Sequence, residues 1–268
     1  MADEILFDAD GYLGAAASRF EDEHLRRRAA LFGCIKSLNR AAIQLISGRS
    51  IPTSDYRGLQ IAAQFARIIE LFDCLVLLAQ RGAWAPTRAM LRILIEAVHP
   101  MICCALSEEY FIDFLNQDEI QRLKLARTVK ERGLSADTKH TEEDLDKVIQ
   151  GIEAKGLKKV SAYEWARRCD RLDEYDLAYR HLSGSIHTTA RDLEKHFVVE
   201  SGEIAGFRLG PTDEEIDFFV NHAAMCLLGA MKAMSENFKL NKEAEIESFS
   251  RLFLLLRELA ASEEHESA

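Results

Sequence analysis

Tyr175 to His196, reading YDLAYRHLSGSIHTTARDLEKH, is the densest run of reactive side chains in this chain. On a regular helix, Tyr179, Arg180, Ser183 and His187 fall within an arc of about 100°, beside an apolar stripe of Tyr175, Leu182 and Ile186. Arg180 and His187 are then about two turns, or about 10 Å, apart along the axis, with room for one anionic group between them. An unperturbed imidazole changes charge near neutrality, so His187 suits a general acid or base, while the planar fork of Arg180 suits charge on phosphoryl oxygens. Gly184, set between two serines, lets another backbone or a ligand approach.

A second polar set stands on the apolar segment APTRAMLRILIEAVHPMICCAL. Leu91, Leu94, Ile95, Val98 and Ile102 are core positions, yet Arg88, Arg92, Glu96 and His99 share an arc of about 80° on another face. A polar stripe on so apolar a helix needs partners, because buried charge is costly unless paired. Pro100 is expected to free the Glu96 carbonyl and kink the helix there. Read for chemistry, Glu96 or Tyr179 would orient the His187 imidazole, with Arg92, Ser183 and Arg88 binding substrate. Read for structure, Arg92, Glu96, Tyr179, Ser183 and His187 form a polar network that locks two helices in register.

The elements that must position these groups read as helices. The chain has 268 residues, 48% hydrophobic content and only four prolines, which indicates an all-α multi-helix bundle. Apolar spacing indicates about seven to nine helices in a single domain, 1–268. Phe20 to Ile46 is one amphipathic helix, and Tyr56 to Gln80, apolar nearly all round, is central and ends at Arg81-Gly82. Ser54 or Asp55 caps that helix, Ser107 caps the one after Leu106, and Thr212 caps a helix beginning with DEEIDFF. Residues 136–159 read as a polar helical insert with a capping-box-like TEED. A short hairpin or ordered loop is expected at 197–210, and a disordered acidic tail from about 262, after a last helix from Glu243 to Ala261.

A formal charge of -10 opposes a broad nucleic-acid or anionic-membrane footprint, so any polyanion must be met by a local patch. The six cysteines show no C-x-x-C pairing and mostly sit in apolar stretches, as reduced core residues do. No cofactor and no metal are expected. Glu21 with His24 and Glu96 with His99 each make E-x-x-H, but a di-metal centre would need two further carboxylates. With no signal peptide and no uninterrupted membrane span, the expected location is the cytoplasm.

Two resemblances bear on function. Leu91, Arg92 and Glu96 (LR-x-x-x-E), together with Tyr179, Leu182, Ser183 and His187 (Y-x-x-LS-x-x-x-H), resemble the motifs of an all-helical, bacterial and phage-associated family. That family is known as a numbered domain of unknown function, and the likeness covers roughly Leu59 to His187. Separately, Arg180 and His187 resemble the R-x(4-6)-H pattern of the HEPN superfamily. That likeness implies a homodimer acting as a metal-independent RNase of toxin or antiphage type, in which an RNA 2′-OH attacks its neighbouring phosphate. The alternative is a non-catalytic helical module whose polar seam is structural, or binds a small anionic ligand or a protein partner.

Overall fold

A computed structural model describes residues 10–133, 141–187 and 189–266, without the side chains of residues 185–187, 191, 257 and 259–266. Its helices are α1 (Ala15–Arg27), α2 (Ala29–Ile46), α3 (Tyr56–Gln80), α4 (Trp84–Leu106), α5 (Glu108–Glu131), α6 (Glu142–Glu153), α7 (Ala162–Arg168), α8 (Arg180–His187), α9 (Ala190–Glu194), α10 (Ile216–Phe238) and α11 (Glu243–Glu266). A short turn, Leu172–Glu174, and a π-helical turn, Tyr175–Tyr179, lead directly into α8. The fold is an all-α bundle carrying one small hairpin.

Three long apolar helices form its centre. α3, α4 and α10 pack on one another, and Phe65, Phe72, Leu91, Leu94, Ile95 and Phe219 are fully enclosed between them. Around this centre, α2 lies against α3 and α10, α11 covers α10, and α5 lies along α4. α6 touches the bundle through α5, where Leu145 meets Ala126 and Val129 in a separate small cluster. α4 has the length and hydropathy to cross a bilayer. Here it is a core helix instead, since α3 and α10 take up its apolar side, and it runs on through Pro100 to Leu106.

Capping chemistry sets several of the boundaries. The Asp55 carboxylate accepts from the Gly58 amide at 2.9 Å, and the Ser107 hydroxyl from the Tyr110 amide at 3.1 Å. Thr141 and Asp144 close a reciprocal capping box at the start of α6. Gly82 takes φ +64 to end α3, and a Cβ there would meet the Thr212 backbone at 2.7 Å.

Three expectations differ from the structure. The Phe20 to Ile46 span breaks at Arg28, whose backbone leaves the helical region while its guanidinium reaches Asp217 at 2.9 Å, so α1 and α2 are separate. Thr212 does not cap α10, because its amide is bonded to the Gly82 carbonyl at 3.1 Å and the helix starts four residues later. α11 continues to Glu266, past the point where a disordered tail is expected.

β1 (Phe197–Glu200) and β2 (Glu203–Phe207) form the expected hairpin, antiparallel, with Phe197 opposite Phe207 and a bulge after Val198. Ser201 and Gly202, both at positive φ, make its turn. All six cysteines are free thiols, with Cys103, Cys104 and Cys226 buried.

Candidate functional site

Arg88 and His99 of the polar stripe on α4 are buried, Arg92 is 12% and Glu96 40% exposed at its edge, and each of the four has a partner. Arg88, 4% exposed, reaches the Glu215 carboxylate at 3.0 Å and lies over the Trp84 ring. One turn on, Arg92 donates to Glu96 at 2.9 Å and to the Tyr179 hydroxyl at 2.7 Å, while its guanidinium stacks on the Tyr179 ring. Tyr179 in turn donates to Glu96 at 2.6 Å. These three side chains therefore close a circuit, which the spacing of Arg92 and Glu96 supplies from one side only. His99 Nε2 lies 2.7 Å from Glu174, at the far end of the stripe.

Electrostatics follow from this enclosure. Burial raises the Tyr179 phenol well above its ordinary value, and the adjacent Glu96 carboxylate raises it further, so the hydroxyl stays protonated as a donor. Burial works to raise Glu174, but bonds from His99 and the Cys226 thiol, with the charge of Arg171, hold it below the usual carboxylate range. Burial and the neighbouring Glu174 charge push the Cys226 thiol far up, leaving it an inert donor to that carboxylate.

The π turn decides which residues of the reactive run reach this seam. It carries Tyr175, stacked on Tyr179 at 4.9 Å, and hands the chain to α8 with Tyr179 and Leu182 buried against α4. Arg180, the next residue round, points outward, 68% exposed, and pairs with Asp176 at 3.2 Å. The arc expected to hold Tyr179 and Arg180 together is thus divided, because neighbouring residues on a helix face directions roughly a quarter turn apart. Ser183 is half-buried on α8, and the Gly184 carbonyl accepts from the Thr189 amide at 3.4 Å. The side chain of His187 lies outside the described residues, so its place relative to Arg180 and Glu96 is not part of this geometry.

A cleft of about 470 Å³ opens over the seam, lined by Arg92, Glu96, His99, Lys159, Trp165 and Tyr179. Lys159 and Trp165 come from the stretch that follows α6, which the sequence marked only as polar insert and short helix. Glu174, Arg171 and Glu215 were not foreseen as partners. Glu174 is the residue just before the π turn, and Glu215 becomes a partner by taking φ 57 at the start of α10. Among the described residues no three His, Cys, Asp or Glu side chains gather as a metal site. The two E-x-x-H pairs are engaged separately, with Glu21 on Arg81 and His24 beside Arg28.

A family model matches residues 61–204, from α3 through the seam to the hairpin and more than half of the chain. The chain belongs to DUF5677, a family of unknown function. No curated protein and no solved structure matches it. The DUF5677 span contains both halves of the seam, α4 and the Tyr175 to His187 run, and agrees with the expected membership of a domain-of-unknown-function family. It leaves out Glu215, so the Arg88 end of the stripe is completed from α10, beyond the matched residues.

Proposed function

We propose that this chain is a non-catalytic helical module, in which the polar seam locks α4 to the Tyr175–His187 segment and leaves its surface free to bind. One observation carries this reading. Arg92, Glu96 and Tyr179 bond one another within 3 Å, with only the buried Arg92 Nε left over, while Arg180, the cation that phosphoryl chemistry needs, points away from the seam into solvent beside Asp176. Such a network specifies one packing of two helices, since any slip leaves charged groups unpaired in a low dielectric. The surface nearby also suits binding: Leu177 is 77% exposed beside Met225 and Leu254, around a groove of about 270 Å³. An apolar rim of that kind supports a protein partner, a second copy of the chain included.

A second reading keeps one supporting observation. π-helical turns concentrate at functional sites, and this one lies immediately before Arg180 and within the run that ends at His187. It supports a HEPN-like, metal-independent RNase of defence or toxin type. The discriminating experiment is induced expression of wild type and His187→Ala, with growth, total RNA and thermal melts recorded. The module reading expects intact RNA from both. RNA fragmentation by the wild type, lost in a variant that melts normally, would overturn it in favour of the nuclease.

A further inference from the structure

A second pocket lies at the opposite end of α4 from His99, and it is built from four separated segments. Tyr12, the first turn of α4 at Trp84–Pro86, Lys195 with His196, and Arg208 through Thr212 enclose a cavity of about 180 Å³. Lys195 and His196 enter the hairpin and Arg208 leaves it, and the two arms are joined by the Arg208 amide donating to the His196 carbonyl at 2.7 Å. Tyr12 fastens the far wall by donating to the Gly210 carbonyl at 2.8 Å.

The lining is cationic in a protein of formal charge -10. Lys195, His196 and Arg208 face the cavity, and no carboxylate lines it. Glu215 and Glu214 do approach from outside, Glu215 at 3.5 Å from Lys195 and Glu214 at 2.6 Å from Arg208. Both pairs are well exposed, at 41% for each cation, so exchanging either carboxylate for another anion costs little. Glu215 is also held by Trp84 and Arg88 through the same oxygen that Lys195 reaches, so Lys195 can leave it without stranding its charge.

His196 adds a defined donor and acceptor pattern. Its Nδ1 lies 3.3 Å from the Arg208 carbonyl, which can only accept, so Nδ1 carries hydrogen, and Nε2 donates to a phosphate oxygen when the ring is the imidazolium. Trp84 does not offer a stacking face, because Arg88 covers the ring at 4.5 Å and Lys195 at 4.8 Å. The ligand is therefore selected by charge and hydrogen bonds, not by an aromatic ring.

We propose that this pocket binds the phosphate group of a small molecule, through Lys195, Arg208 and His196. A phosphate presents several acceptor oxygens to the Lys195 and Arg208 donors of a lining that is otherwise mostly apolar, drawing those two cations away from Glu215 and Glu214. The site is independent of the seam, so it can succeed or fail without changing the reading of Arg92, Glu96 and Tyr179.

The test is calorimetric titration of the intact chain with inorganic phosphate and, separately, with adenosine 5′-monophosphate, in chloride buffer at fixed ionic strength. Wild type is compared with the Lys195→Ala/Arg208→Ala double variant and with Arg251→Ala, which removes an exposed cation on α11. An exposed cation–anion contact is worth about threefold to fivefold, so the double variant should lose binding about tenfold while Arg251→Ala loses none. Tighter binding of the monophosphate identifies a phosphomonoester ligand, and equal or tighter binding of inorganic phosphate identifies the free ion. The proposal is overturned if neither anion binds wild type, or if the double variant, melting as wild type does, binds equally well.

Discussion

Replacing Tyr179 by Phe removes one oxygen and leaves the ring, so it isolates what the hydroxyl contributes to the seam. That hydroxyl donates to Glu96 at 2.6 Å and accepts from Arg92 at 2.7 Å. Hydrogen bonds to charged groups contribute about 1.5–3 kcal/mol each, which sets a ceiling of about 3–6 kcal/mol for the pair. The loss will be smaller, for two reasons. Glu96 is 40% exposed and recovers water at the freed oxygen, and Arg92 keeps both its bond to Glu96 and its stacking on the ring. Arg92 itself is only 12% exposed and regains little, so a net loss of about 2 kcal/mol is expected. For a chain of this size that corresponds to a fall in Tm of about 4 °C. Urea unfolding of Tyr179→Phe, Glu96→Gln and the double variant measures the coupling directly, expected at about 1 kcal/mol with unchanged m-values. A loss below about 0.5 kcal/mol with no coupling would show that the circuit does not hold the helices together.

Further outcomes follow from other contacts. Arg180→Ala removes only an exposed i,i+4 pair and should change stability by less than about 0.5 kcal/mol in the same urea assay. Gly82→Ala should cost about 3 kcal/mol or more, since φ +64 strains any L side chain and the new Cβ meets the Thr212 backbone and Phe20; its urea midpoint reads this. Burial, reinforced by Arg28, lowers His24 to about 4, against the weaker opposing pull of Asp213 and Asp217. The unfolded chain then takes up the proton at higher pH than the folded one, so stability present at pH 7 is lost as pH falls through the ordinary imidazole range towards 4. The loss by pH 5 should be about 1–2 kcal/mol, and His24→Leu, followed by urea unfolding at both pH values, should be flatter by that amount.

The bundle was legible because its signals are local. Apolar spacing marked α3 and α4, Asp55, Ser107 and Thr141 stood at their helix starts, and the β-prone, glycine-containing stretch after Phe197 became the hairpin. Arg92 and Glu96 were readable as a pair for the same reason, being one turn apart. Their third member was readable only as chemistry: Tyr179 has the right side chain, but nothing in its neighbourhood states that it faces Glu96. Glu174 and Glu215 were harder still. Each owes its role to a backbone feature without a composition signal, a helix about to widen in one case and a left-handed residue at a helix start in the other.

Helical phase put Tyr179 and Arg180 at the two ends of one arc, about 100° apart, and that separation alone divides a buried side chain from an exposed one. The π turn just before them changes the local winding. Between Tyr175 and Tyr179 the chain makes that change where Tyr175 stacks on Tyr179 and Tyr179 meets Arg92, so aromatic packing and the seam are satisfied together. Leu182 then follows Tyr179 into the interior, and Arg180 is left on the solvent side with Asp176. A π turn holds one residue more than a regular turn, so deleting the exposed Leu177 should convert it to a regular turn and leave Tyr179 and Leu182 facing α4, with a urea midpoint close to that of wild type.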